Sequence, residues 1–221
     1  MTAQREVLIP ADSARLEGTL ALPGGATGLV AFAHGSGSSR FSPRNVFVAK
    51  ALHRARVATL LFDLLTREED REYERRFDIA LLARRLLAAT AWLQTDPATR
   101  GLKLGYFGAS TGAAAALQAA AVLGGEISAV VSRGGRPDLA GEQALHAVMA
   151  PTLLIVGGFD DVVIGLNQQA LALMRCPKQI IIVPGATHLF EEPGTLEQAA
   201  QAAGNWFARC FAAQSAATRS Q

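Results

Sequence analysis

Residues 105–117 read GYFGASTGAAAAL, and no other stretch constrains the fold of this chain so strongly. An apolar run, Leu102 to Phe107, leads in as a buried strand, and an Ala-rich run leads out as a helix. Between them Gly108, Ser110 and Gly112 spell G-x-S-x-G. A turn this tight needs neighbours that are nearly free of side chain, which accounts for the glycines. It lifts Ser110 above the sheet edge with a helix N-terminus beneath it, the setting a nucleophile elbow requires.

The surrounding chain supplies the rest of a layered fold. Arg5–Ile9 and Arg15–Leu22 are predicted as two short antiparallel strands around Pro10 to Ser13. Leu29–Ala33, Val57–Phe62, Ile127–Ser132, Thr152–Val156 and Gln179–Val183 read as further buried strands. Helices fall between them. One opens at Ser42 and Pro43, a good cap followed by a proline at the first helical position. Another is expected to start in the charge run REEDREYERR, as a solvated first turn, and to continue through Phe77, Leu81, Leu82, Leu86, Leu87 and Trp92 until Asp96-Pro97 stops it. A short helix is expected from about Asp138 to Val148, another from Gly165 to Arg175, and a last one from Thr195, with a frayed tail from Gln214. Alternation of this kind predicts an α/β fold in three layers, a doubly wound, mostly parallel sheet of about eight strands. A chain of 221 residues without an internal linker reads as one domain over 1–221, and no insertion is long enough to be a large lid domain. Functional groups in such sheets gather at the carboxyl ends of the strands.

A serine hydroxyl becomes a nucleophile only when a base takes its proton, and the base needs an orienting carboxylate. On this architecture the order is Ser, then Asp or Glu, then His. The chain has four histidines. His34 and His53 precede Ser110, His146 lies in a helical pattern beside Leu145 and Val148, and His188 follows the last strand, where a base belongs. Asp160 and Asp161 both follow the Thr152–Val156 strand, and either satisfies the requirement for an acid. Glu126, Asp138 and Glu142 sit at helix ends or on a helix.

Together GYFGASTG, GGFDDVV, GATHLF and AHGSGSS resemble the α/β-hydrolase superfamily, over about Leu20 to Phe211. Within it the chain is similar to the small dienelactone-hydrolase-related group. The resemblance implies Ser110 as nucleophile, His188 as general base and Asp160 as acid, the last through G-x-x-D-x-x-V at Gly157, Asp160 and Val163. It also implies an oxyanion hole formed by the backbone N–H groups of Thr111 and Ser36, and a structural role for His34. Dienelactone hydrolase itself is known for a cysteine nucleophile. Serine stands at this elbow, a departure that leaves the ester-hydrolase mechanism intact while the resemblance no longer singles out a lactone as the substrate.

The expected activity is cleavage of a small ester, lactone or thioester through an acyl-enzyme. Acyl transfer by the same residues and a non-catalytic binding module are the alternatives. Arg40 and Arg44 follow one strand, and Arg133 and Arg136 follow another. They fit an anionic group on the substrate, through the planar fork of arginine, or else solvated loops and ion pairs with Asp63 or Asp138. Leu65 and Phe159 are expected as apolar pocket wall. The net charge of +2 is too small to indicate nucleic-acid or membrane partners. Cys176 and Cys210 match no zinc or disulfide pattern and read as buried thiols. No metal and no cofactor are expected. The N-terminus lacks an apolar signal-peptide core, and no run approaches the roughly 20 residues of a membrane span, so the expected location is cytoplasmic.

Overall fold

The computed structural model describes residues 2–218, with side chains to residue 213. Strands β1 (Thr2–Ala11), β2 (Ala14–Pro23), β3 (Gly28–Ala33), β4 (Val57–Phe62), β5 (Lys103–Ala109), β6 (Ile127–Arg133), β7 (Thr152–Gly157) and β8 (Lys178–Val183) form one sheet in the order β1-β2-β4-β3-β5-β6-β7-β8. β1 and β2 pair antiparallel, as do β2 and β4, and every later pairing is parallel. The chain winds from β3 outward to β4, then returns to place β5 on the other side of β3. Loops leaving β3 and β5 therefore diverge, and a crevice opens at their carboxyl ends.

Among the described residues six helices cover the faces: α1 (Pro43–Arg54), α2 (Ile79–Thr95), α3 (Thr111–Leu123), α4 (Glu142–Ala147), α5 (Asp161–Leu173) and α6 (Thr195–Thr218). The central strands are buried on both sides, so successive residues feed opposite cores. Val30 and Phe32 of β3 join Phe107, Val131 and Ile155 against α1 and α6, which contribute Val48, Leu52, Trp206, Phe207 and Phe211. Leu29, Ala31 and Ala33 of the same strand join the opposite core, with Leu82 and Leu86 of α2 and Ala114 to Leu117 of α3. Ala113 to Ala116, Ala119 and Ala120 of α3 are fully buried and let that helix lie close on the sheet. This is the three-layer α/β-hydrolase fold without a large lid domain.

One helix begins later than the sequence pattern suggests. Residues 67–76 do not open α2; they fold as two 3-10 turns, Glu69–Arg71 and Tyr73–Phe77. Asp78 stops the run because its side chain accepts Leu81 N–H at 2.9 Å and caps α2 there. The charges are used across the fold: Arg85 of α2 reaches Glu69 at 2.7 Å and also the carbonyl of Ala11, and Arg76 pairs with Asp70 at 3.1 Å. Phe77 precedes the helix and is exposed. The segment expected as one short helix from Asp138 is a 3-10 turn, Pro137–Ala140, followed by α4. Cys176 and Cys210 are free and buried. The expected fraying from Gln214 falls partly on residues 219–221, outside those described. Among the described residues, no helix is long and apolar enough to cross a membrane.

Candidate active site

The elbow is built by close approach. A Cβ on Gly108 would lie 2.4 Å from Ala113 Cα, and one on Gly112 would lie 2.1 Å from the Ala33 carbonyl oxygen. No side chain fits at either position, and β3, β5 and α3 are thereby locked together. Ser110, between them, takes φ +50° and ψ −124°. That is a strained conformation for a residue with a Cβ. Its carbonyl accepts N–H groups from Ala113 at 3.1 Å and Arg136 at 3.0 Å, so the strained turn is held from two sides.

Two loops meet beside it. Gly158 N–H donates to Val183 O at 2.8 Å, and Phe159 N–H donates to Ala186 O at 2.9 Å, joining the turn after β7 to the turn after β8. The junction brings Asp160 Oδ2 to 2.6 Å from His188 Nδ1. The Asp160 side chain is 15% exposed and that of His188 is 38% exposed. Asp161 is the first residue of α5 and is exposed. The His188 loop is braced further: Thr187 donates N–H and hydroxyl to the Glu192 carboxylate at 3.0 and 2.6 Å, which holds that carboxyl below its ordinary pKa. Ser110 and His188 line one cavity of about 210 Å³. Among the described residues, no group of three or more His, Cys, Asp or Glu side chains is placed to hold a metal ion.

Ser36 lines the same cavity, and its N–H donates to Thr111 Oγ1 at 3.0 Å. His34 does not line this cavity. Its Nδ1 meets Gly35 O at 3.0 Å, its Nε2 accepts Leu64 N–H at 3.0 Å, and burial lowers its pKa. This histidine fixes the β3 loop against the β4 loop.

The four arginines separate into two kinds. Arg40 lies outside the cavity of Ser110 and is engaged by carboxylates: it pairs with Asp63 through side chain and backbone, meets Glu17 at 2.7 Å, and stacks on Phe41 at 4.3 Å. Arg136 forms a two-pronged pair with Asp138 at 2.9 and 2.7 Å. Arg133 and Arg44 do line the cavity. The two residues expected as apolar wall lie outside the cavity that Ser110 lines. Leu65 packs into the core facing α2 and lines a neighbouring cavity of about 230 Å³ with Ser38 and Phe41, and Phe159 is 73% exposed and lines neither cavity.

Two residues were missed from sequence. Asn45, on the first turn of α1, lines the cavity. Asn167 is fully buried in α5, where Nδ2 donates to Gly135 O at 3.0 Å and pins the loop after β6. The signal for Asn167 was available: it occupies the apolar face of α5 between Val163 and Ala170.

Comparison with known proteins agrees with this architecture. The model of the dienelactone hydrolase family matches residues 48–213. The chain belongs to the dienelactone hydrolase family. A crystal structure of a dienelactone hydrolase from Anabaena variabilis superposes with a TM-score of 0.90 at 55% identity, covering 93% of this chain and 97% of that one. An esterase domain from Rhodothermus marinus shares the fold, with a TM-score of 0.75 at 20% identity over 94% of this chain and 98% of that one. A protein of Mycobacterium tuberculosis named a putative phosphoribosyl transferase is 59% identical over 202 residues, 91% of this chain and 45% of the relative. The chain thus spans about half the length of the curated relatives so named. Family match and structural neighbours together give this chain the dienelactone hydrolase fold.

Proposed function

We propose that this protein is a serine hydrolase that cleaves a small carboxylic ester, lactone or thioester through an acyl-enzyme. The observation that carries the reading is the 2.6 Å contact between Asp160 and His188 on the cavity that Ser110 also lines. A carboxylate only accepts, so Nδ1 holds the proton in that contact and Nε2 is left with its lone pair. Nε2 takes the proton of Ser110 as Oγ attacks the acyl carbon, and Asp160 stabilises the imidazolium that results. The tetrahedral oxyanion is received by the N–H groups of Thr111 and Ser36. Thr111 N–H is a first-turn amide with no acceptor inside its helix. Ser36 N–H exchanges its present acceptor, Thr111 Oγ1, for the substrate oxygen. His188 returns the proton to the leaving group, and water releases the acyl chain by the same steps.

The relatives named as phosphoribosyl transferases contain a further half that this chain does not span. We assign the transferase name to that half and hydrolysis to this one. A fluorophosphonate probe tests the central claim. It should label Ser110 in the folded protein and fail on Ser110→Ala, and a panel of p-nitrophenyl esters with a thioester and a lactone should be turned over. Absence of labelling on folded protein overturns the assignment.

A further inference from the structure

Arg133 is the last residue of β6 and pairs in register with Ala109, the residue before Ser110. It is only 5% exposed. Among the described residues no carboxylate lies within ion-pair distance of it, and its Nε has no hydrogen-bond partner. Its one marked contact is with the Phe190 ring, 5.5 Å from the guanidinium carbon. Burial, and the charge of Arg44, push its pKa down to about 10, which still leaves it protonated near neutrality. A buried cation without a counter-charge is costly, and folded proteins retain one only where something pairs with it.

The cavity shows what that partner is. Arg44 enters from the first turn of α1, where it also meets Glu191 at 3.2 Å. Ser42, the cap of the same helix, lines the cavity together with Ser36 and Ser38, and no Asp or Glu lines it. Two guanidinium groups, serine hydroxyls and the N-terminus of a twelve-residue helix thus face one small space. Each of these favours an oxyanion. Glu191 offsets part of the Arg44 charge, but two guanidinium groups and the serine hydroxyls offer more donors than the two oxygens of a carboxylate accept, which suits a phosphoryl group with three.

We infer that the cavity beside Ser110 is a phosphoryl subsite, in which Arg133 anchors a phosphate or phosphonate group borne by the substrate and Arg44 closes on it from α1. The substrate class is then a small ester whose acyl or alcohol part carries a phosphoryl group. This rests on the hydrolase reading above only for which bond is cleaved; the anion site stands independently of it. At about 210 Å³ the space is below the roughly 300 Å³ at which ligand pockets usually begin, so the reacting group and the phosphoryl group are close together.

The test is binding, with turnover as a second arm. Ser110→Ala protein is titrated with inorganic phosphate and with acetate by calorimetry. Phosphate should bind at one site, tighter than acetate, and weaken about 30-fold or more in Ser110→Ala/Arg133→Gln. Arg136→Gln, whose guanidinium is held by Asp138 and does not line the cavity, is a control that leaves binding within about threefold. Should Arg133→Gln fail to fold, Ser110→Ala/Arg44→Gln provides the same comparison, with a loss of about fivefold or more. In the second arm, wild-type turnover of p-nitrophenyl 3-phosphonopropionate should exceed that of p-nitrophenyl hemisuccinate and butyrate in kcat/KM. The inference is overturned by absence of saturable phosphate binding to folded protein, by acetate binding as tightly as phosphate, or by Arg44 and Arg133 variants that bind phosphate unchanged. Phosphate binding without turnover of any ester sinks the hydrolase reading and leaves the subsite; turnover without phosphate binding does the reverse.

Discussion

Ser110 sits at φ +50° and ψ −124°, where a Cβ crowds the backbone. Residues so held carry about 1–3 kcal/mol of strain. Two substitutions separate that strain from the hydroxyl: Ser110→Ala removes Oγ and keeps Cβ, and Ser110→Gly removes both. Relative to alanine, glycine recovers about 2 kcal/mol of strain. It gives back about 0.5–1 kcal/mol through the greater freedom of the unfolded glycine. Ser110 is half-buried, so losing the methyl contact removes roughly 0.4 kcal/mol, half the value for a fully buried methylene. The net is about 1 kcal/mol in favour of glycine. For a chain of this length that raises the thermal midpoint by about 2–4 °C over Ser110→Ala. Urea unfolding followed by circular dichroism should give the same difference with an unchanged slope. Both variants lose the serine, so activity does not enter the comparison. A glycine variant no more stable than the alanine variant would refute the reading of the elbow as a strained turn.

Two further outcomes follow from the site. Asp160→Asn should lower kcat by about four orders of magnitude by turning the His188 ring to the wrong tautomer, whereas Asp161→Asn, at an exposed helix start, should stay within about threefold; p-nitrophenyl ester kinetics on the pair decide it, and equal losses would remove Asp160 from its role. His34 sets a pH dependence of stability. Its Nε2 accepts Leu64 N–H and burial lowers its pKa from 6.5, so both folded and unfolded chains hold it neutral above that value and its full contribution is present there. As pH falls below 6.5 the unfolded chain takes the proton first, and stability declines until the lowered folded-state value is passed. His53 is shifted in the same direction by its own burial, so the informative measurement is the urea midpoint from pH 8 to 5 in His34→Asn against wild type. An unchanged profile would show that His34 contributes nothing to it.

The family and the fold were legible because their signals are local. A strand-turn-helix with glycines at 108 and 112 is dictated by sterics within a dozen residues, and the alternation of buried strands and helices follows from hydrophobic periodicity along the chain. Local pattern failed where partners are distant. The charge run at 67–76 satisfies a helix rule, yet Glu69 answers to Arg85, and Asp78 competes successfully for the start of α2. By chemistry alone Asp160 and Asp161 are interchangeable, and only the family spacing singles out Asp160; a junction of two turns, made by backbone bonds from Gly158 and Phe159 to the β8 side, brings that one to His188. The arginines make the point most plainly. Arg40, Arg44, Arg133 and Arg136 all follow strands and look alike, and charge itself is the same for each. Asp63, Glu17 and Asp138 neutralise two of them, while burial at the end of β6 leaves Arg133 facing the cavity without a carboxylate. A sequence determines which residues carry charge and which segments turn. Whether a charge is spent on the fold or left to a ligand depends on what three-dimensional packing sets opposite it, because electrostatic attraction acts through space and falls with distance whatever the separation along the chain.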